Sequence, residues 1–239
     1  MSLTHNRGRV AGFWYLLLIV ISPLRFIYIP SKLFVSGNAT ETVNNIAAHE
    51  SLFRFGMISE LIDAIILILL VLAFYQLFEK VGQYLAVLVV ILNGVMPAVL
   101  YIVNAAIDAG ALMVVRGADF MSAFDKPQRD ALVILLLRLH GQLITASLIL
   151  AGAWLFPLAI LVYRSRFLPR FLAVWLFIAG CAWVILCFTG FLAPQYQEKE
   201  FVTFQPALLG EMALMLWLVI KGAKPPTQVA ATALPAHDH

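Results

Sequence analysis

The sequence predicts an all-α polytopic membrane protein: a six-helix transmembrane bundle with a short interfacial helix before its second span. Three observations carry this. The 239 residues are 62% hydrophobic and only 12% charged, with mean hydropathy +0.93, against about 25% charged in soluble domains. Apolar windows near the roughly 20 residues that a spanning helix needs recur six times, over 10–30, 51–78, 83–115, 130–163, 168–193 and 202–221. The polar stretch 31–50 between the first two cannot span, so any helix in it must lie on the membrane surface. Six spans consume nearly the whole chain and leave no room for a separate soluble domain.

The first apolar run follows Arg7 and Arg9 and so imitates a secretory leader. It continues through Pro23, Arg25 and Tyr28 without a small-residue cleavage site, and is therefore read as a membrane helix. In the polar stretch, Asn38 and Glu41 have the spacing of a capping box, which predicts the interfacial helix over 40–49. Span two begins at Ser51 and span three ends before a short loop over 116–124. Asp125 then stands where an N-cap belongs and Pro127 where the first helical turn tolerates proline, which opens span four. Pro23, Pro97, Pro157 and Pro206 fall within or at the start of spans and predict kinks. After Lys224 the tail 225–239 is rich in proline and small residues and is expected to be a disordered cytoplasmic extension.

Basic residues set the orientation. With the N-terminus inside, Arg7, Arg9, Lys80, Arg164, Arg166, Arg170, Lys221 and Lys224 are cytoplasmic, eight against five in the outer loops. The positive-inside rule then places both termini in the cytoplasm. Charge +3 and pI near 9.0 reflect this flanking pattern, and nucleic-acid binding gains no support. Cys181 and Cys187 lie six apart, off a shared helix face, so no disulfide is expected.

Ionisable residues inside the spans are the main functional signal, since each costs at least about 2.5 kcal/mol to insert and usually lines a cavity or finds a partner. The candidate cavity comprises Arg25, His49, Glu50, Arg54, Glu60, Asp63, Asn104, Asp108, Arg138, His140, Gln142 and Glu211. Under the assigned topology most of these lie in the outer half of the bilayer. At 100° per residue His49, Gly56, Glu60 and Asp63 form one stripe, while Glu50 and Arg54 make an i,i+4 pair. Tyr101, Asn104 and Asp108 share a face of span three. On span four Arg138 and Gln142 oppose His140, so that helix is expected to be centrally buried, with Arg138 paired to Asp108, Glu60 or Glu211.

No HExxH spacing, paired haem histidines or G-x-S-x-G elbow is present. No metal or cofactor is expected, and a non-enzymatic role is read ahead of catalysis. The leading expectation is binding or transport of a small or amphipathic molecule, including a lipid, through an outward-facing polar cavity. The alternatives are a membrane-embedded lipid hydrolase, metal-dependent or not, and a structural partner of another membrane protein. The sequence does not fix an oligomeric state.

Several short stretches carry a resemblance. They are Arg9-Val10-Ala11-Gly12 with Tyr15-Leu16; Pro30-Ser31-Lys32-Leu33; Ala47-Ala48-His49-Glu50-Ser51-Leu52-Phe53-Arg54; Tyr163-Arg164-Ser165 with Phe167-Leu168-Pro169-Arg170; and Gly210-Glu211 with Leu216-Trp217-Leu218. Together they resemble the bacterial membrane family called domain of unknown function 4386, over about residues 7 to 224. The resemblance implies a multi-pass protein of the bacterial inner membrane and no assigned activity. The aspartate-leucine-histidine pattern of that family's fourth span reads Arg138-Leu139-His140 here, with its charge reversed.

Overall fold

The computed structural model describes residues 3–35 and 37–223. Among the described residues all regular elements are helical. Five helical stretches are long and apolar enough to cross a bilayer: His5–Leu33, Glu50–Val115, Lys126–Ser165, Arg170–Leu192 and Pro194–Lys221. The chain is thus built as a multi-pass membrane protein. The tail expected over 225–239 lies outside the described residues.

Two prolines shape the first half. α1 (Leu3–Pro23) runs through a π turn, Leu24–Tyr28, into α2 (Ile29–Leu33), and a second π turn, Ile91–Val95, joins α4 (Glu50–Val90) to α5 (Met96–Val115). Each π turn ends two residues before a proline, Pro30 and Pro97. A proline offers no N–H and its ring presses on the carbonyl four residues back, here Phe26 and Asn93. Widening the ladder by one residue relieves both, so the Ile29 and Met96 N–H groups bond the carbonyls of Leu24 and Ile91. Arg25 sits inside the first widened turn.

α3 (Ala39–Ala48) begins where the capping signal put it: the Asn38 side chain accepts from the Glu41 N–H at 3.0 Å and its amide donates to Glu41 Oε2 at 2.9 Å. α4 breaks at Gly82 into one extended residue. The chain turns back there, because a Cβ on Gly94 would stand only 2.5 Å from Val71, 23 residues earlier. A straight helix would hold those residues about 34 Å apart. α6 (Lys126–Ala153) opens on a complete capping box, Asp125 accepting from the Gln128 N–H and Gln128 from the Asp125 N–H, with Pro127 in the first turn. α7 (Leu155–Ser165), α8 (Arg170–Leu192) and α9 (Gln197–Lys221) follow.

The central burial expected of span four is not what forms. In α6 only Asp130, Val133 and Gly152 are buried, and Arg138 and Gln142 are exposed. Three polar side chains on opposed faces cannot all be packed inside, so the helix turns one of its faces outward.

The apolar core comes in two parts. The larger gathers Phe74, Phe78, Trp154, Leu158, Leu176 and Leu214; the smaller gathers Ile29, Leu33, Ile46, Phe53, Leu112 and Val133. Along α4 the buried carboxylates Glu60 and Asp63 fall between Phe53 of the smaller part and Leu67 of the larger. The two ends of the bundle are also distinct. At one, Arg7 donates to the Gln76 carbonyl at 2.7 Å and lies 3.3 Å from Glu79, Gly8 abuts Ala223, and Gly82 abuts Leu161. At the other, Arg116 lies 3.3 Å from Glu50, and Val43 and Ala47 share a recess with Lys126 and Arg129.

Candidate functional site

Five of the sequence-derived candidates converge in the gap between the two cores. Arg25, from the π turn, is 7% exposed; Glu60 and Asp63, one turn apart on α4, are 2% and 1% exposed; Asp108 on α5 is 8% exposed. His140 arrives from α6. Arg25 Nη1 stands 3.5 Å from Glu60 Oε1 and 3.9 Å from Asp63 Oδ2. His140 Nε2 stands 3.5 Å from the same Glu60 oxygen, while its Nδ1 is hydrogen-bonded to Asp108 Oδ1 at 2.9 Å. The Arg25 guanidinium is held over two rings, Phe26 at 4.1 Å and Tyr101 at 4.4 Å, a contact suited to its flat, weakly hydrated cation.

The cluster is short of partners. The Arg25 nitrogens, Glu60 Oε2 and Asp63 Oδ1 are buried without a hydrogen bond, as is Oδ1 of Asn104, one turn before Asp108. The cluster holds three carboxylates and, among the described residues, one guanidinium, which faces two of them, so with the carboxylates ionised and the imidazole neutral the group carries two negative charges in excess. Buried charge of that kind is costly unless compensated. Arg25, Glu60, Asp108 and His140 also line a cavity of about 270 Å³ whose remaining walls include Phe26, Phe34, Phe53, Gly141 and Ile144. Charged floor and aromatic wall thus meet in one space.

Other candidates sit elsewhere. His49 is exposed at the corner between α3 and α4, its Nδ1 3.1 Å from the Asn45 carbonyl oxygen, and does not face inward as expected. A helical stripe drawn through His49 fails because α3 ends there: its φ of −121° and ψ of 41° break the register. Glu50 does pair with Arg54, at 2.7 Å, and also reaches Arg116, but this bridge lies at the protein surface. Gln142 is exposed. Arg138 makes no ion pair among the described residues and opens onto a neighbouring recess of about 430 Å³ with Asn38 and Thr42. The pairing expected for it is taken by His140 and Arg25, which reach the carboxylates from the inward faces. Glu211 is half-buried apart from the cluster, accepting from Tyr15 Oη at 2.6 Å and from Trp183 Nε1 at 2.7 Å.

A family model described as "Domain of unknown function (DUF4386)" matches residues 10–222, which includes all five clustered residues. The chain belongs to this family. An uncharacterized protein of Archaeoglobus fulgidus is 38% identical over 76 residues, 30% of the chain and 42% of the relative. The chain thus matches less than half the length of that curated relative. No solved structure matches the chain.

In this DUF4386 protein, two contacts at charged groups have no local signal in the sequence. Tyr101 shares a helical face with Asn104 and Asp108, yet its role as a platform for Arg25 appears only when the π turn aims the guanidinium at it. Tyr15 and Trp183 carry no local sign that they satisfy Glu211, since the partners are 196 and 28 residues away.

Proposed function

We propose that this protein binds an amphipathic small molecule in the cavity above Arg25, Glu60, Asp108 and His140, as a step in retaining or moving it within the membrane. The observation that carries the reading is the joining of both charge signs to aromatic and aliphatic walls in a single cavity. A polar head would find donors and acceptors on the floor, and its apolar part would lie against Phe26, Phe34 and Phe53. Pockets that bind small molecules have this make-up, mostly apolar with a few placed polar groups.

The same reading takes six spans. Glu50–Val115 has 66 residues, about 99 Å as one helix against a hydrocarbon core of about 30 Å, and the break at Gly82 divides it into two lengths, each sufficient to cross. α3 lies in the interface, the cavity opens outward, both termini are cytoplasmic, and the membrane is the bacterial inner membrane. The division at Gly82 and the basic-residue count support this arrangement.

Gly141 provides the test. It lines the cavity, and a Cβ added there meets nothing within 4 Å. Gly141→Leu should therefore fill the space while leaving the fold intact, and it replaces a poor helix former with a good one. With a doxyl-labelled single-chain phosphocholine in nanodiscs, electron paramagnetic resonance should show an immobilised fraction on the natural protein that Gly141→Leu removes. An equal immobilised fraction on a folded Gly141→Leu protein would overturn the proposal.

A further inference from the structure

The floor of the cavity has the arrangement of a metal site. The donor atoms of Glu60, Asp108 and His140 all lie within 4.8 Å of one another. His140 Nδ1 is held by Asp108 at 2.9 Å, so in the tautomer with hydrogen on Nδ1 the Nε2 lone pair points away from Asp108. It stands 3.5 Å from Glu60 Oε1, too long for a good hydrogen bond. Ligands at about 2.0–2.1 Å in a tetrahedral zinc site are separated by about 3.3 Å. A carboxylate orienting a histidine whose other nitrogen ligates is the usual outer support of such sites.

A second observation is independent of that spacing. Glu60, 2% exposed, keeps Oε2 buried with no partner while its other oxygen is shared by Arg25 and His140. Glu60 thus has oxygen capacity that no protein donor takes up, on the same carboxylate whose Oε1 stands at ligand spacing from His140. Charge agrees: a divalent cation brings the three carboxylates and one guanidinium to neutrality. Imidazole among the donors favours zinc and its neighbours over magnesium or calcium.

We infer that Glu60 and His140 ligate a divalent transition-metal ion of the zinc type, that Asp108 positions the histidine, and that the remaining coordination positions face the cavity. The inference uses the floor of the proposed binding site and does not depend on amphiphile binding.

The test is zinc alone, added to the purified full chain after chelator treatment and followed by equilibrium dialysis with elemental analysis. About one zinc should be retained per chain. His140→Ala and Glu60→Gln should lose it, and Asp108→Asn should weaken it about 10- to 100-fold, the range for lost outer support. Arg138→Gln, His49→Ala and a chain with His237→Ala and His239→Ala should retain it. Should the cluster variants fail to fold, X-ray absorption on the zinc-loaded natural protein decides. One imidazole with oxygen neighbours supports the site; two or more imidazoles, or none, overturn it. No zinc on the folded natural protein also overturns it, as does undiminished zinc on folded His140→Ala. Gly141→Leu, designed to remove amphiphile immobilisation, should still bind zinc, so the two proposals fail separately.

Discussion

At the scale of single residues, the imbalance of charge in the cluster makes opposite substitutions diverge. Among the described residues Arg25 is the one guanidinium facing Glu60 and Asp63. Arg25→Met leaves those buried carboxylates uncompensated, a change that costs about 3–5 kcal/mol when one partner of a buried pair is removed. Glu60→Gln removes charge that is already in excess and keeps the shape of the side chain, so it should cost far less. Thermal unfolding of the two detergent-solubilised variants after chelator treatment checks the order, and a less stable Glu60→Gln would refute a net-negative metal-free cluster. Glu211 belongs to a different class. Its two oxygens each accept one bond, from Tyr15 and Trp183. Glu211→Ala strands both donors and should lower stability by about 1–3 kcal/mol, with zinc and probe binding unchanged. A melting temperature equal to that of the natural protein would count against this scaffold role.

At the scale of elements, what the sequence disclosed depended on how local the cause is. The cap of α3 at Asn38 and that of α6 at Asp125 with Pro127 were legible, because a cap is a contact between residues three apart. The π turns were not. Prolines announce a disturbance, but a kink, a break and a widened turn all relieve the same strain. The choice of a widened turn aims Arg25 at Tyr101. His49 shows the converse failure: a helical wheel assumes unbroken helix, and the α3–α4 corner at that residue rotates it outward. Arg138 and His140 were recognised as opposed, yet the wheel cannot say which of two polar faces goes inside. The close approach of Gly94 and Val71 makes the packing at the second π turn testable. With Val71 Cγ2 2.5 Å from where a Cβ would stand, Gly94→Ala overpacks the contact between the second π turn and α4 and should cost about 1–3 kcal/mol. Val71→Ala in the same chain should recover much of that loss, since the clash is with that side chain. A double-mutant cycle in thermal unfolding would show strong coupling; additive effects would mean that the two segments do not touch.

At the scale of the whole molecule, the bundle sorts its basic residues by end. Arg7, Glu79, Gly82, Leu161 and Ala223 come together at one end, so Arg9, Lys80, Arg164 and Arg166 share that neighbourhood through the chain. Glu50, Arg116, Lys126 and Arg129 occupy the other, below α3. Flanking lysines and arginines are retained in the cytoplasm during insertion, and the first end holds the larger number. Under the proposed topology Asn38, exposed at the start of α3, and Arg166, exposed in the left-handed turn after α7, report opposite sides. Single cysteines at these positions, placed in a chain with Cys181 and Cys187 replaced, should react differently with a membrane-impermeant maleimide added to intact cells. Position 38 should label from outside, and position 166 only after the membrane is opened. Labelling of both from the same side would mean an even number of crossings between them and would dismantle the division at Gly82. Reversed labelling would keep six spans but turn the cavity with Arg25 and His140 toward the cytoplasm, because α3 and the cavity wall at Phe34 lie at the same end.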